Sequence, residues 1–135
     1  MSLNREKYND LLIKLATTIW DYAELKFTEY KSAAAIIDLL QTQGFAIRKN
    51  LAGMETAFSA TIGSGHPVIG LLAEYDALSG LSQQPFVEKM IPREGISTGH
   101  GCGHHMLGTA AVGAALLVRD YLQEKKLPGT VVLIG

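Results

Sequence analysis

This 135-residue sequence has only one cysteine, Cys102, so it cannot form an internal disulfide bond. The thiol must be free, metal-bound or reactive, and each of these states suits a reducing compartment. The N-terminal region also lacks the apolar core of a signal peptide, because Glu6, Lys7 and Asp10 are charged. We therefore expect a cytoplasmic protein.

The sequence has neither an excess of one charge nor a long hydrophobic run. It contains 12 Lys and Arg against 13 Asp and Glu, and its only adjacent basic pairs are 48–49 and 125–126. Such sparse basic residues do not form a positively charged surface able to bind a phosphate backbone, so nucleic acid is excluded as a partner. No run approaches the roughly 18 apolar residues of a membrane span, so a membrane is excluded as well.

Apolar periodicity predicts the first half of the fold. Residues 8–22 and 31–43 have apolar side chains three and four positions apart, which predicts two amphipathic helices. We expect Thr28 to cap the second helix and Gly44 to end it. Segments 45–47 and 57–62 predict an antiparallel pair of strands. Segment 67–73 is almost wholly apolar, which predicts a strand in the middle of the sheet.

The second half predicts a strand, a helix and another strand. After a long polar segment, 80–103, an alanine-rich helix is expected over 106–123 and a buried strand over 130–134. Two strands joined through a helix form a right-handed parallel unit. We therefore predict an α/β fold with a mixed, mainly parallel sheet and flanking helices, occupying one domain.

The most distinctive part of the sequence is Gly-His-Gly-Cys-Gly-His-His at positions 99–105, which holds the cysteine and three of the four histidines. A thiolate and imidazoles bind soft divalent cations, and the intervening glycines let the chain turn tightly enough for them to converge. Cys102 and His104 are therefore the first candidates for metal ligands.

A second cluster, Glu74 and Asp76, follows the predicted strand over 67–73. In an extended chain, positions i and i+2 point to the same side, so both carboxylates face one region. Ligands in α/β sheets bind at the carboxyl ends of the strands, where the Cys102 segment also lies. The two clusters are expected to meet.

These residues carry a resemblance to a known family. The segments Ala-Glu-Tyr-Asp-Ala-Leu at 73–78 and His-Gly-Cys-Gly-His at 100–104 resemble the two-metal aminoacylase and carboxypeptidase family of metallopeptidases. The likeness is to its p-aminobenzoyl-glutamate hydrolase and N-acyl-amino-acid amidohydrolase branch. Residues 20–31 and 53–58 also resemble that branch. The resemblance implies that residues 1–135 are the N-terminal part of a zinc-peptidase-like catalytic domain, without its remainder and its dimerisation domain.

The resemblance also implies roles for individual residues. Cys102 and His104 would be metal ligands, and Asp76 would be the acid that orients a liganding imidazole. Glu74 would line the cleft. The family's general base, a glutamate in a Glu-Glu pair, would follow position 134 and does not lie in this chain. Family members mostly have Asn or Asp where this sequence has His105, so the role of His105 is open.

The implied activity is amide hydrolysis. Two divalent ions, zinc or manganese, would polarise the scissile carbonyl and activate a water molecule. The substrate would be a small N-acyl or N-aroyl amino acid such as p-aminobenzoyl-glutamate. Exposed apolar faces also predict a homo-oligomer. This chain by itself is expected to be inactive because the base is lacking.

Two other functions compete with this one. In the first, Cys102 is the nucleophile of a hydrolase, with a neighbouring imidazole as its base. In the second, the chain is an inactive remnant that binds metal or dimerises.

The candidate residues also have purely structural interpretations. Asp76 is equally suited to cap a turn, and Glu74 to pair with a basic residue at the sheet edge. For His100 two interpretations stay open, a residue that supports a metal ligand and a residue with no role in the site. For His105 they are an additional metal ligand and a residue with no role. His66, beside Pro67, predicts only a surface turn.

Overall fold

The computed structural model describes residues 6–135. Within that range the chain forms three α-helices, six strands and one short 3₁₀ turn. In chain order they are α1 (Asn9–Tyr22), α2 (Tyr30–Thr42), β1 (Ala46–Lys49), the 3₁₀ turn (Leu51–Gly53), β2 (Phe58–Ser64), β3 (Val68–Leu72), β4 (Leu78–Ser79), β5 (Thr98–Gly99), α3 (His104–Lys125) and β6 (Gly129–Ile134). Helix α3 therefore begins two residues earlier than its periodicity predicts.

Helices α1 and α2 lie where the sequence predicts them, but the expected cap at Thr28 is wrong. The Thr28 hydroxyl instead donates to the Leu25 carbonyl at 2.8 Å. The free amides of α2 are satisfied by Glu24, whose carboxylate accepts from the backbone of Lys31 at 3.0 Å and of Ser32 at 2.8 Å. A carboxylate at a helix N-terminus is also favoured by the helix dipole. Glu24 therefore fixes the turn between the two helices.

The main sheet has the strand order β1-β2-β6-β3. Strands β1 and β2 pair antiparallel as predicted, and β3 and β6, joined through α3, pair in parallel as predicted. The β2–β6 pairing is antiparallel, so the described sheet has one parallel pairing of three rather than a parallel majority. The α/β class and the mixed sheet with flanking helices are confirmed.

Strand β3 does not lie in the middle of the described sheet, contrary to the expectation from its apolar sequence. It is an edge strand, paired only with β6 among the described strands. On one face of β3, Val68 and Leu72 are 55% and 73% exposed. The apolar run that predicted a central strand corresponds here to an uncovered sheet face.

The hydrophobic core lies between the three helices and the opposite face of the sheet. Fully buried side chains come from every layer: Ile19, Ile36, Leu40, Phe58, Val112, Leu116, Val131 and Leu133. Helix α3 packs against α1 on one side and against β3 and β6 on the other. None of the helices in residues 6–135 is long and apolar enough to cross a membrane.

Candidate metal centre

Helix α3 approaches the end of β3 so closely that only glycine fits at position 108. A Cβ atom added to Gly108 would lie 2.5 Å from the backbone oxygen of Glu74. His104 is one helical turn before Gly108 and therefore lies on the same face of the helix. The close approach at Gly108 thus brings His104 to the residues that follow β3.

Tyr75 separates the two acids and fixes the direction in which they point. Its ring is buried, and its hydroxyl donates to the Thr56 carbonyl at 2.6 Å. Burial raises the pKa of Tyr75 well above its ordinary value, with a smaller effect from the nearby Glu29 carboxylate. Because side chains alternate along an extended chain, anchoring Tyr75 in the core turns Glu74 and Asp76 outward together.

The two predicted clusters meet at His104. Its Nδ1 lies 2.6 Å from Oδ1 of Asp76, and its Nε2 lies 3.2 Å from Oε2 of Glu74. The side chains of His104 and Asp76 are 22% and 21% exposed, while Glu74 is 59% exposed. The imidazole is thus held between an inner carboxylate and an outer one.

This arrangement fits a cation at Nε2 of His104. A neutral imidazole has one N–H, so it donates to only one of the two carboxylates. The 2.6 Å contact to Asp76 is the shorter and has the length of a charge-assisted hydrogen bond. With the proton on Nδ1, Nε2 presents a lone pair beside the Glu74 carboxylate. A histidine that binds metal through one nitrogen while donating to a carboxylate from the other is a common arrangement in metal sites.

Cys102 lies in a tight turn immediately before α3. The turn is closed by the Gly103 amide, which donates to the His100 carbonyl at 3.1 Å, and Gly103 has a φ of 88°. The thiol is exposed and free. Cys102 is thus placed at the start of α3, two residues from His104, with its sulfur open to an incoming ligand.

His100 and His105 lie beside each other behind this turn. Their ring centroids are 4.7 Å apart, and Nε2 of His100 lies 3.1 Å from the Ile19 carbonyl. Burial lowers the pKa of both imidazoles, so their neutral forms are favoured. Within residues 6–135 the Nδ1 atoms of both rings are buried without a hydrogen-bond partner. Among residues 6–135 neither ring is paired with a side-chain carboxylate, in contrast to His104.

The structure also shows where sequence reasoning was incomplete. His66 is exposed, in agreement with the predicted surface turn. Gly108 and Glu24 were not identified as important from the sequence, because the contacts that define them lie far away along the chain or across a helix turn. An acid six residues before a helix start is a weak signal for capping, and a glycine inside a helix signals close packing only when its partner is known.

The described residues supply only part of a metal site. The donor types are suitable, since imidazole and thiolate bind zinc and carboxylates also accept manganese. However, among residues 6–135 no group of three or more His, Cys, Asp or Glu side chains is arranged to hold an ion.

Comparison with known proteins identifies the relatives of this chain. No family model matches it. It is 42% identical over 132 residues to a p-aminobenzoyl-glutamate hydrolase subunit of Escherichia coli, covering 98% of this chain and 27% of that protein. It is 29% identical over 131 residues to an IAA-amino acid hydrolase of Arabidopsis thaliana, covering 96% of the chain and 28% of the relative. The chain therefore spans about a quarter of the length of these curated relatives.

A solved structure shows the same fold. A dinuclear metal-binding peptidase of the M20 family from Bacillus subtilis superposes with a TM-score of 0.70 at 25% identity, over 93% of this chain and 35% of its own. The chain thus has the α/β fold of the corresponding part of that peptidase. More particularly, the resemblance to the two-metal aminoacylase and carboxypeptidase family is confirmed, and this chain is homologous to part of its p-aminobenzoyl-glutamate hydrolase branch.

Proposed function

We propose that this chain is the N-terminal part of the catalytic domain of a metal-dependent amidohydrolase. The observation that carries the proposal is the position of His104 between Asp76 and Glu74 at the carboxyl end of β3. Carboxyl ends of strands are where α/β folds bind ligands. The whole protein would hydrolyse the amide bond of an N-acyl or N-aroyl amino acid.

The substrate class rests on the names of two relatives. One is part of a p-aminobenzoyl-glutamate hydrolase and the other is an IAA-amino acid hydrolase. Both names describe an acyl or aroyl group joined to an amino acid through an amide. The two acyl groups differ, so the shared chemistry is the amide of an amino acid. We propose that this shared unit is what the present protein recognises.

Each site residue has a defined part in this proposal. His104 and Cys102 would hold a divalent ion, zinc or manganese, with Glu74 as a neighbouring oxygen donor. Asp76 keeps the proton of His104 on Nδ1 and orients its ring. When bound, two such ions polarise a carbonyl and lower the pKa of a water molecule. The general base would come from outside this chain.

Metal analysis with point variants tests the proposal. We expect the purified chain to bind zinc or manganese, and we expect Cys102→Ser and His104→Ala to lose it. His66→Ala is the matched control, because it removes an exposed imidazole that precedes β3, whereas the site residues follow it. An assay on p-aminobenzoyl-glutamate accompanies the metal analysis, with no turnover expected from the chain alone. Undiminished metal binding in Cys102→Ser or His104→Ala would contradict the proposal.

The geometry favours this function over the one in which Cys102 is a nucleophile. A nucleophilic thiol needs an imidazole within hydrogen-bonding reach that is free to accept its proton. Both ring nitrogens of His104 instead face carboxylates, and Nε2 of His100 faces a backbone carbonyl. The Nδ1 atoms of His100 and His105 are buried and make no hydrogen bond to the exposed thiol. Rapid alkylation of Cys102 in metal-free protein, together with no bound metal, would support the thiol chemistry instead.

A remnant that binds metal or dimerises is the remaining candidate, and one observation bears on it. The uncovered face of the sheet exposes Val68 and Leu72 on β3, and Ile134, which pairs with Leu72, on β6. We propose that the isolated chain self-associates through this face, since large exposed apolar patches mark interaction surfaces. Light scattering across a concentration series would show self-association, and a monomer at every concentration would contradict it.

A free Cys102 also supports our assignment of the cytoplasm as the compartment.

A further inference from the structure

The C-terminal end of α1 is bonded to the segment that leads into the metal-binding turn. Nε2 of His100 lies 3.1 Å from the Ile19 carbonyl, and the Thr98 hydroxyl donates to the Ala23 carbonyl at 2.6 Å. These contacts join positions more than 70 residues apart in the chain. We call the two contacts, from Thr98 and His100, the α1 clamp.

The physical reason for the clamp lies in the helix end. The last four carbonyls of a helix have no partner within the helix, and they carry partial negative charge. The Ala23 carbonyl is one of these, and the Thr98 hydroxyl satisfies it. The Ile19 carbonyl already accepts from the Ala23 amide at 3.1 Å, and His100 adds a second hydrogen bond to its other lone pair. Because a carbonyl only accepts, His100 must carry its proton on Nε2. The clamp therefore uses the imidazole as a fixed donor and gives it a role that needs no change of protonation.

A third contact reinforces the same junction. Arg93 donates to the Trp20 carbonyl at 3.3 Å, pairs with Asp21 at 3.0 Å, and lies 4.3 Å from the centre of the Trp20 ring. A cation at the C-terminal end of a helix is favoured by the helix dipole. The long segment between β4 and β5 is thus attached, through Arg93, to the C-terminal end of α1.

The backbone at Gly99 and Gly101 packs closely against Leu81. A Cβ atom on Gly99 would collide with the Leu81 carbonyl oxygen, and one on Gly101 would lie 2.6 Å from the Leu81 side chain. The chain at 99–101 is thus pressed against Leu81 on one side and joined to α1 through its side chains on the other. Cys102 follows directly, and its turn is closed by the Gly103 amide.

We propose that Thr98 and His100 are positioning residues, which hold the turn carrying Cys102 in place relative to His104 so that both reach one divalent ion. This inference rests on the proposed function and adds to it a role for α1. His104 is fixed independently, through Asp76 and the close packing at Gly108. The clamp supplies the corresponding constraint on the Cys102 side.

Zinc affinity of clamp variants, measured by competition with a chromophoric chelator, tests the inference. Thr98→Val and His100→Leu remove the donors with little change in volume, while Thr98→Ser and His100→Gln keep them. We expect the double Val/Leu variant to bind zinc about tenfold more weakly, the effect typical of residues that support metal ligands, and the Ser/Gln variant to stay within about threefold. Thr17→Val is the control, because it removes a similar hydroxyl–carbonyl bond in exposed α1.

A readout without metal accompanies the titration. Hydrogen exchange of the Gly103 amide reports whether the turn is held, and we expect it to be about tenfold faster in the Val/Leu variant while amides in the middle of α3 are unchanged. Thr98→Val alone keeps the measurement possible if the double variant does not fold.

The possible results distinguish a failure of the α1 clamp from a failure of the proposed function. Faster exchange with weaker zinc binding, rescued in the Ser/Gln variant, would support the clamp. Equal zinc affinity in all clamp variants would overturn it while leaving the proposed function intact. If His104→Ala binds zinc as tightly as the unaltered chain, the proposed function fails, and the inference falls with it.

Discussion

Helix α3 carries a polar cluster near each end, and the two clusters are built in opposite ways. Near its C-terminal end, buried Arg119 donates to the Tyr8 hydroxyl at 2.6 Å, to the Gln43 carbonyl at 2.7 Å and to Asp120 at 2.8 Å. Asp120 also accepts from Lys7 at 2.7 Å. The guanidinium and the carboxylate are both surrounded by partners from the protein itself.

The cluster at the N-terminal end of α3 is open. Two carboxylates compete for one imidazole at His104, the thiol of Cys102 is exposed, and the rings of His100 and His105 each bury a nitrogen that has no partner in residues 6–135. Buried polar atoms are normally hydrogen-bonded, so these two nitrogens, together with Oε2 of Glu29, are exceptions among the described residues.

The comparison teaches how to separate a structural polar cluster from a functional one. Arg119 and Asp120 complete each other's hydrogen bonds and join α3 to Tyr8 and to the end of α2, which is a task of stability. The His104 cluster leaves donor atoms directed outward and contributes less to the folded state. We therefore expect changes at one end to alter stability and changes at the other to alter metal affinity.

The largest expected effect is on stability, from Arg119→Met. The variant removes a buried cation together with the hydrogen bonds that it donates to the Tyr8 hydroxyl, the Gln43 carbonyl and Asp120, which should cost about 3 kcal/mol of unfolding free energy. Urea denaturation measures the loss, and Arg48→Met, on the exposed side of β1, is the control. Zinc affinity should change less than about threefold. A stability loss below about 1 kcal/mol, the range of ordinary surface substitutions, would break the comparison.

Gly108→Ala should affect both stability and metal affinity. Its methyl group would press on the Glu74 backbone, and overpacking of this kind costs about 1–3 kcal/mol. The shift should also separate His104 from Asp76 and weaken zinc binding. Gly113→Ala is the matched control on the same helix, since its methyl group would meet only the movable end of Leu12 at 2.8 Å. If both variants bind zinc equally well, the close approach at Gly108 does not position the site.

Asp76→Ala should reduce zinc affinity while sparing the fold. Loss of the carboxylate that orients a liganding imidazole costs about tenfold to a hundredfold in affinity. The unfolding free energy without metal should change by less than about 1 kcal/mol, because Asp76 serves the open cluster. Calorimetric zinc titration and urea denaturation provide the two numbers. A large loss of stability with unchanged affinity would make Asp76 a turn cap rather than a positioning acid.

The smallest expected effect is a pH dependence at the closed cluster. Burial opposes ionisation of Asp120, but hydrogen bonds from Lys7, Tyr8 and Arg119 outweigh it and lower the pKa of Asp120 below its ordinary value. Because the pKa is lower in the folded state, ionised Asp120 stabilises the fold at pH values above its unfolded pKa of about 4. This stabilisation is lost as the pH falls from there through the lowered pKa of the folded state.

Asp120→Asn should therefore be less stable at pH 6 and lose less stability between pH 5 and pH 3 than the unaltered chain. The expected difference is below about 1 kcal/mol, because the carboxylate is partly exposed to solvent. Urea denaturation at each pH measures it, with the exposed Asp38→Asn as the control. Identical pH profiles for the unaltered chain and Asp120→Asn would show that the contacts of Asp120 do not stabilise the folded state.

Local patterns predicted a large part of this molecule. Helix periodicity placed α1 and α2, and the i, i+2 spacing of Glu74 and Asp76 together with the strand-end rule predicted that they would meet the segment carrying His104. These inferences succeeded because each depends on residues close in sequence or on a general property of α/β folds. The ligand roles of Cys102 and His104 remain predictions.

Features that depend on distant contacts were not predictable. The position of β3 at the sheet edge depends on strand order, which its apolar run does not encode. The Arg119 cluster joins residues more than 70 positions apart, and no local pattern marks Arg119 as buried. The need for glycine at position 108 arises only where α3 crosses the Glu74 backbone.

A zinc titration of His104→Ala beside Arg119→Met tests the division between the two ends of α3 most directly. We predict that His104→Ala binds zinc at least about tenfold more weakly than the unaltered chain. Arg119→Met, under conditions where it is folded, should bind zinc as tightly as the unaltered chain. Equal zinc affinity in His104→Ala and the unaltered chain would contradict the assignment of the open cluster as the metal centre.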